Sequence, residues 1–303
     1  MLNLRGAFTA LVTPMKDGGE VDYDGFRRLI QFQLEEGIDG LVPLGTTGET
    51  PTLEESEEEK LIRIAVEEVG GRVPLIVGTG SNSTKSMLEY TKRAKDLGAD
   101  AALVVTPYYN KPNDSGLIAH FETAAAAGIP IVVYNIAGRT GRNIPASLME
   151  KIAEIPGIAG VKESSGDMGQ IGDMIAAIAM KRNSSNPFRV LSGDDAFTLP
   201  LCALGGDGTV SVISNLLPAK VTALTKACLE GNYTEARRIH FELLPFMKAA
   251  FIETNPAPIK AAMNMAGLPA GPSRLPLGPL SSAHTEILRK ELESLGFLNN
   301  PKE

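Results

Sequence analysis

The stretch Ile158-Ala159-Gly160-Val161-Lys162-Glu163-Ser164-Ser165-Gly166 decides how this chain is read. Four apolar or small residues lead into Lys162, and a polar, glycine-ended segment follows, so a buried strand should give way to a loop here. An ammonium is out of place on an apolar strand unless its charge is paired or its pKa is lowered. A lysine kept partly neutral near pH 7 attacks carbonyls and forms a Schiff base. A strand-end lysine can equally snorkel its charge to solvent. The company that Lys162 keeps separates the two readings.

Runs of the same kind recur at Ala7–Pro14, Gly40–Gly45, Pro74–Gly80, Ala101–Pro107, Pro130–Asn135, Arg189–Asp194 and Thr209–Ser214, with Ile158–Ser165 sixth of eight. Amphipathic segments lie between them. Asp22–Glu36 carries Phe26, Leu29, Ile30, Gln33 and Leu34 on adjoining helical positions, and Glu54–Val69 carries Leu61, Ile62, Ala65 and Val69. The second opens with Glu54, Glu55, Glu57, Glu58 and Glu59, which suit the positive end of a helix dipole and read as a solvated first turn. Gly37, Gly70, Gly98 and Gly128 sit where helices should stop. Eight near-continuously apolar strands, each followed by a helix, fit a (β/α)8 TIM barrel; a doubly wound open sheet is the competing architecture. After Ser214 the strands stop. Pro218–Gly231, Tyr233–Phe251, Pro256–Ala266 and Ser282–Leu295 read as helices, with a turn-rich link at Gly267–Pro279. The expected organisation is a barrel over residues 1–230 and a C-terminal helical extension over 231–303.

Composition narrows the function. The chain has 303 residues, 43% hydrophobic and 21% charged, as ordinary globular proteins do, and α/β barrels of this length form one domain. A net charge of -7 argues against a nucleic-acid surface. Cys202 and Cys228 are too few for a disulfide framework or a thiolate metal site, which fits a reducing, cytoplasmic setting. No signal peptide and no membrane-length apolar run are visible. His120, His240 and His284 fall on separate predicted helices with no carboxylate spacing around them, so no metal centre is expected.

In a barrel, chemistry sits at the C-terminal ends of the strands. Read only there, the chain offers Gly45-Thr46-Thr47-Gly48-Glu49 after strand two and Thr106-Pro107-Tyr108-Tyr109-Asn110 after strand four. Strand five ends in Tyr134-Asn135 with Arg139 close behind, strand seven in Ser192-Gly193-Asp194-Asp195, and strand eight in Ser211. A Schiff-base lysine needs a group that shuttles protons while the carbinolamine forms and dehydrates; Tyr134, one strand from Lys162, is placed for it, and Thr46 or Thr47 with a further phenol could relay the proton to solvent. Small residues such as Gly45 and Gly48 should leave backbone N–H groups free for a carboxylate. Each piece also has a plain structural reading: a tight turn for Gly-Thr-Thr-Gly, interface aromatics for Tyr108 and Tyr109, a surface ion pair for Arg139. Gly78-Thr79-Gly80 resembles half a phosphate loop but reads as barrel geometry.

In order and spacing, Gly45–Glu49, Thr106–Pro112, Tyr134–Gly141 and Gly160–Glu163 resemble the dihydrodipicolinate synthase family. Ser192–Asp195, Asn255-Pro256-Ala257-Pro258-Ile259-Lys260 and Arg274-Leu275-Pro276-Leu277 continue the match over nearly the whole chain. The wider superfamily, with N-acetylneuraminate lyase, shares the lysine and the tyrosine; Arg139 and the Tyr108-Tyr109 pair favour the synthase branch. The resemblance implies that Lys162 condenses with pyruvate and that the resulting enamine attacks L-aspartate 4-semialdehyde. It further implies a relay of Tyr134, Thr46 and Tyr109, and substrate binding by Thr47, Arg139, Gly193 and Val210. It implies neither cofactor nor metal, only small-molecule substrates, and a homo-oligomer, because Tyr109 reaches the neighbouring subunit's site: a dimer at least, and usually a tetramer built as a dimer of dimers. Ala137 stands where the family usually has proline, a change expected to free the loop that aims Arg139. Family members inhibited by lysine, the pathway's end product, carry histidine at the position of Glu55 and glutamate at that of Ser86. This chain keeps Asn82 and Tyr108 of that pattern but not the other two, so weak or absent inhibition is expected. The alternatives are a 2-keto acid aldolase or lyase acting on another aldehyde through Lys162, and a non-catalytic binding protein, against which the joint retention of Lys162, Tyr134, Thr46 and Tyr109 counts.

Overall fold

The computed structural model describes residues 2–179 and 188–298; the last five residues of the expected C-terminal extension lie outside the described residues. Eight parallel strands run β1 (Gly6–Ala10), β2 (Gly40–Val42), β3 (Ile76–Gly78), β4 (Ala101–Val105), β5 (Ile131–Asn135), β6 (Ile158–Glu163), β7 (Arg189–Ser192) and β8 (Gly208–Ser211). They pair in the order β2-β1-β8-β7-β6-β5-β4-β3. The two ends of that order meet: Leu41 bridges Leu75 in parallel, the Leu41 N–H donates to Pro74 O at 3.0 Å, and the Gly78 N–H to Pro43 O at 3.0 Å. The sheet closes on itself. The open-sheet alternative is excluded and the (β/α)8 barrel stands.

Helices α1 (Tyr23–Glu35), α2 (Glu55–Val69), α3 (Thr84–Asp96), α4 (Asp114–Ala125), α5 (Ala137–Thr140), α6 (Ala146–Ile152), α7 (Met168–Ala179), α8 (Thr198–Ala203) and α9 (Pro218–Leu229) connect or follow the strands. Their starts follow from local chemistry. Asp22, Ser83 and Asn113 accept from the backbone N–H three residues on, which satisfies donors that a helix start leaves free. Glu54 and Glu57 form a reciprocal capping box at α2. Gly37, Gly70, Gly98 and Gly128 all adopt positive φ at or just past helix ends, where a side chain would be strained.

Alternation along the strands divides the core in two. Phe8, Ala10, Val42, Leu103, Val132 and Tyr134 belong to the cluster inside the barrel, whereas Ala7, Leu11, Val104 and Val133 join the larger cluster between strands and helices. The apolar stripe of α1 is buried as its spacing predicted, except that Leu34 is half-exposed, and the stripe of α2 is buried with Ile64 added. Gln33 is the polar member of the α1 stripe and is fully buried. It accepts from Thr9 Oγ1 at 2.6 Å and donates to Ser214 O at 2.9 Å, stitching α1 to β1 and to the end of β8.

The strands end earlier than their apolar runs suggest, because the chain leaves the ladder while staying buried. Past β1, the Val12 N–H donates to Asn215 Oδ1, and Asn215 Nδ2 donates back to Ala10 O. At the other end of the chain α10 (Tyr233–Ala249) packs on α9, and α11 (Ala257–Met265) and α10 both pack on α12 (Ser282–Ser294). Gln33→Leu should test the polar stitch. The leucine fits in volume but strands the Thr9 hydroxyl, and a buried group left unpaired costs about 1–3 kcal/mol. Denaturant unfolding should show that loss; an unchanged midpoint would mean the stitch contributes nothing.

Candidate active site

Strand register sets the centre of the site. On the β5–β6 pair Ile131 faces Ile158 but Val132 faces Gly160, a one-residue shift that brings Lys162, rather than Val161, opposite Tyr134. Residues paired across parallel strands share a face, so the amine and the phenol both point into the barrel. Lys162 is 4% exposed and Tyr134 5%. The Lys162 Nζ lies 4.2 Å from the centroid of the Tyr134 ring, and among the described residues no carboxylate pairs with it. The next residue, Glu163, is buried too; it accepts from Asn135 Nδ2 at 2.9 Å and from the Ser165 N–H at 2.6 Å. Burial pushes its carboxyl above the usual range, against those hydrogen bonds.

Space around the amine is kept by a glycine. A Cβ on Gly193 would lie 1.9 Å from Ser164 Oγ and 2.9 Å from both Cε and Cγ of Lys162, so any larger residue would displace the lysine. Val210 is buried in the interior cluster that also holds Tyr134. Thr46 and Thr47 sit in a 3-10 turn over Thr46–Gly48. Thr47 Oγ1 accepts from Asn255 Nδ2 at 3.0 Å, and Thr13 Oγ1 donates to Gly48 O at 2.7 Å. Within the turn the Gly48 N–H is engaged, closing on Gly45 O at 3.0 Å.

A cavity of about 460 Å³ opens beside this centre, a size that suits a small ligand. Thr46, Tyr134 and Arg139 line one part of it, and Tyr108, Tyr90, Glu55, Glu58 and Arg93 another. Arg139 Nη2 donates to Asn255 O at 3.0 Å. The segment after Ile136 is the one-turn helix α5, closed by Thr140 and Gly141 N–H groups on Ile136 and Ala137 carbonyls, so it is held by hydrogen bonds even without a proline. Tyr109 is 90% exposed and does not line the cavity. Its φ of +72°, unusual for a bulky residue, marks a strained loop. The structure thus gathers Lys162, Tyr134, Thr46, Thr47, Arg139, Gly193 and Val210 at one end of the barrel and leaves Tyr109 facing away from its own chain.

The acidic start of α2 is solvated only in part: Glu54 and Glu55 are exposed, whereas Glu57 and Glu58 are covered. Glu57 pairs with Arg274, and Arg93 Nη1 and Nη2 hold Glu55 at 3.1 Å and Glu58 at 2.7 Å. Arginines distant in sequence cover Glu57 and Glu58, a contact no local pattern carries. Burial pushes the Glu58 carboxyl up to about 7, outweighing the attraction of Arg93. Three further residues of the site were quoted in the sequence without a role: Asn255, Lys260 and Glu49. The signal was available in the type of residue, since Lys260 sits on an apolar helical face. As to metals, His284 pairs with Glu253, His120 and His240 are buried apart, and no group of three or more His, Cys, Asp or Glu is arranged for an ion among the described residues.

Fold and site together define a (β/α)8 barrel whose mouth holds a buried lysine against a tyrosine, beside a cavity edged by hydroxyls and a guanidinium. The dihydrodipicolinate synthetase family model matches residues 3–295, and the chain belongs to that family. It is 53% identical over 293 residues to the 4-hydroxy-tetrahydrodipicolinate synthase of Protochlamydia amoebophila, covering 96% of this chain and 97% of that one. Among solved structures, the dihydrodipicolinate synthase of Acinetobacter baumannii in complex with pyruvate superposes with a TM-score of 0.94 at 37% identity, covering 98% of this chain and all of that one. That of Cyanidioschyzon merolae with lysine bound gives 0.93 at 40% identity, with the same coverage.

The Glu58 carboxyl makes a pH prediction. Its folded pKa of about 7 lies above the ordinary 4.5, so between those values the folded chain holds a proton that the unfolded chain releases. The stabilisation is complete below the lower value and is lost as pH rises through the upper one. Relative to Glu58→Gln, the wild type should therefore lose on the order of 2 kcal/mol across that window, after allowance for partial solvent screening. Urea unfolding of both proteins at several pH values measures it, and a flat difference would return Glu58 to its ordinary range.

Proposed function

We propose that this chain condenses pyruvate with L-aspartate 4-semialdehyde to give 4-hydroxy-tetrahydrodipicolinate, a lyase step toward diaminopimelate and lysine. The observation that carries the reading is the buried Lys162 amine 4.2 Å from the Tyr134 ring, with no carboxylate partner among the described residues, in a chain whose curated relatives carry that enzyme's name. The Lys162 amine adds to the keto carbon of pyruvate, and the carbinolamine loses water to a protonated imine. That cation forms against the Tyr134 ring face, where a positive charge is stabilised. The imine draws electrons from the methyl carbon, a proton leaves, and the enamine attacks the aldehyde. The substrate's own amine then displaces Lys162 and closes the ring. Tyr134, Thr46 and Tyr109 move the protons. Thr47, Gly193 and Val210 frame the pyruvate, and Arg139, a planar bidentate donor, meets the semialdehyde's carboxylate. Tyr109 serves the site of a neighbouring subunit, which accounts for its exposure and its turned backbone; the working assembly is then a dimer at least, and a tetramer as a dimer of dimers. The division into a barrel over 1–230 and an extension over 231–303, and a cytoplasmic setting, belong to the same proposal.

The test is a pyruvate trap followed by a substrate panel. Borohydride with pyruvate should add one reduced pyruvyl group at Lys162 alone, and pyruvate with aspartate semialdehyde should turn over faster than pyruvate with other aldehydes. Label on a different lysine sinks the mechanism, and a preferred second aldehyde sinks the choice of substrate.

Feedback by lysine should be weak or absent. Glu55 brings a carboxylate of its own to this wall of the cavity, but Arg93 pairs with both Glu55 and Glu58. A ligand ammonium would compete with Arg93 for these carboxylates, and a charge desolvated without a partner commonly costs a few kcal/mol, where about 1.4 kcal/mol is tenfold in affinity. Titrating L-lysine at saturating pyruvate measures this; half-inhibition in the submillimolar range would overturn it.

A further inference from the structure

A second lysine is as buried as the first and has the opposite surroundings. The side chains of Lys260, on α11, and of Glu49, just after the Thr46–Gly48 turn, are each 1% exposed. The Lys260 Nζ donates to Glu49 Oε1 at 2.6 Å, to Thr13 O at 3.1 Å and to Pro272 O at 2.6 Å, so all three of its protons have acceptors. Glu49 Oε2 accepts from the Arg274 N–H at 2.8 Å. The attraction within a buried pair is largely offset by the cost of desolvating both charges, so such a pair is weak evidence of a role in stability alone.

The pair's location points to the Thr46–Gly48 turn. The Glu49 N–H closes on Thr46 O at 3.1 Å, and Glu49 itself holds the left-handed conformation at φ +57°. Thr13, whose carbonyl accepts a hydrogen bond from Lys260 Nζ, donates its hydroxyl to Gly48 O. Asn255, five residues before Lys260, donates to Thr47 Oγ1 and accepts Arg139 Nη2 on its carbonyl. Thr47, Gly48 and Glu49 are thus each held from one cluster, Thr46 is tied to them by the turn's own bond from Glu49, and much of that cluster comes from Asn255, Lys260, Pro272 and Arg274, beyond the last strand.

We propose that the Glu49–Lys260 pair, with Asn255, positions the Thr46–Thr47 turn for reaction, so that the C-terminal helical segment sets the geometry of the catalytic mouth. The proposal rests on the Schiff-base reading above. None of these three residues touches the reacting atoms; they act through the two threonines.

The experiment uses the full-length protein and three variants: Lys260→Met, Asn255→Ala and Met263→Ala. Met263 is fully buried on the same helix and touches the core rather than the turn, so it controls for lost stability. Unfolding midpoints fix a temperature at which all are folded. There Lys260→Met should lose about 10–100-fold in kcat/KM, the scale on which misplacement of a catalytic group acts, with a raised KM for pyruvate. Met263→Ala, at equal or greater loss of stability, should keep both within about twofold. Saturating pyruvate with borohydride should still label Lys162 in Lys260→Met, because the nucleophile is intact. Equal kinetic losses in Lys260→Met and Met263→Ala, or wild-type kinetics in a folded Lys260→Met, overturn the positioning role. Should Lys260→Met fail to fold, Asn255→Ala decides, since it withdraws only the bond to Thr47: a raised KM for pyruvate supports the proposal and unchanged kinetics overturn it. A wild type that takes no label overturns the Schiff-base reading and this proposal with it. A labelled wild type beside an unaffected variant overturns this proposal alone.

Discussion

Burying an ammonium costs several kcal/mol unless it is paired or gives up its proton. The closed barrel holds the Lys162 amine in its interior, with an aromatic face beside it and no carboxylate partner among the described residues. Much of the surrounding architecture serves that placement. The strands must be apolar on both faces to close and be covered by helices, which removes water. Gly193 must lack a side chain to admit the lysine stem. The β5–β6 register must slip by one residue for the phenol to face the amine at all.

Lys260 shows how far environment, not residue type, assigns a role. It is as deeply buried as Lys162, but three acceptors surround it, one of them a carboxylate. Burial lowers its pKa below the ordinary lysine value, against the opposing pull of Glu49. Its three hydrogen bonds tie the nitrogen to the protein rather than leaving it open to a substrate. The two lysines differ in their surroundings: Lys162 is left without an ion-pair partner among the described residues, as the proposed mechanism requires, whereas the charge of Lys260 is compensated by Glu49.

The cavity beside the centre is edged by charges that compensate one another. On its wall Arg93 bridges two carboxylates of α2, and Arg274, which does not line the cavity, pairs with a third. Because Arg274 and Lys260 both reach the loop between β2 and α2, the helical segment at the end of the chain and the acidic start of α2 share one buried network with the proposed substrate site. A disturbance anywhere in that network can reach the threonine turn without touching substrate.

Most of the fold was legible locally. Apolar runs placed all eight strands, and caps and glycines placed helix ends to within a residue or two, because hydrogen-bond satisfaction at a helix end depends on neighbours in sequence. The residue types at strand ends, with the family resemblance, nominated Lys162, Tyr134, Thr46, Thr47 and Arg139. Closure of the sheet was not legible, since alternation of strands and helices is common to barrels and open sheets. Nor was the partner of any charge: the acidic run of α2 read as solvated because Arg93 and Arg274 approach it from other parts of the chain. The register shift that sets Lys162 against Tyr134 is likewise a property of two strands packed together. The sequence by itself determined which groups the mouth would contain. Only the tertiary structure decided which lysine is left without a counter-charge and which is paired, because burial and pairing depend on contacts between residues far apart in the chain.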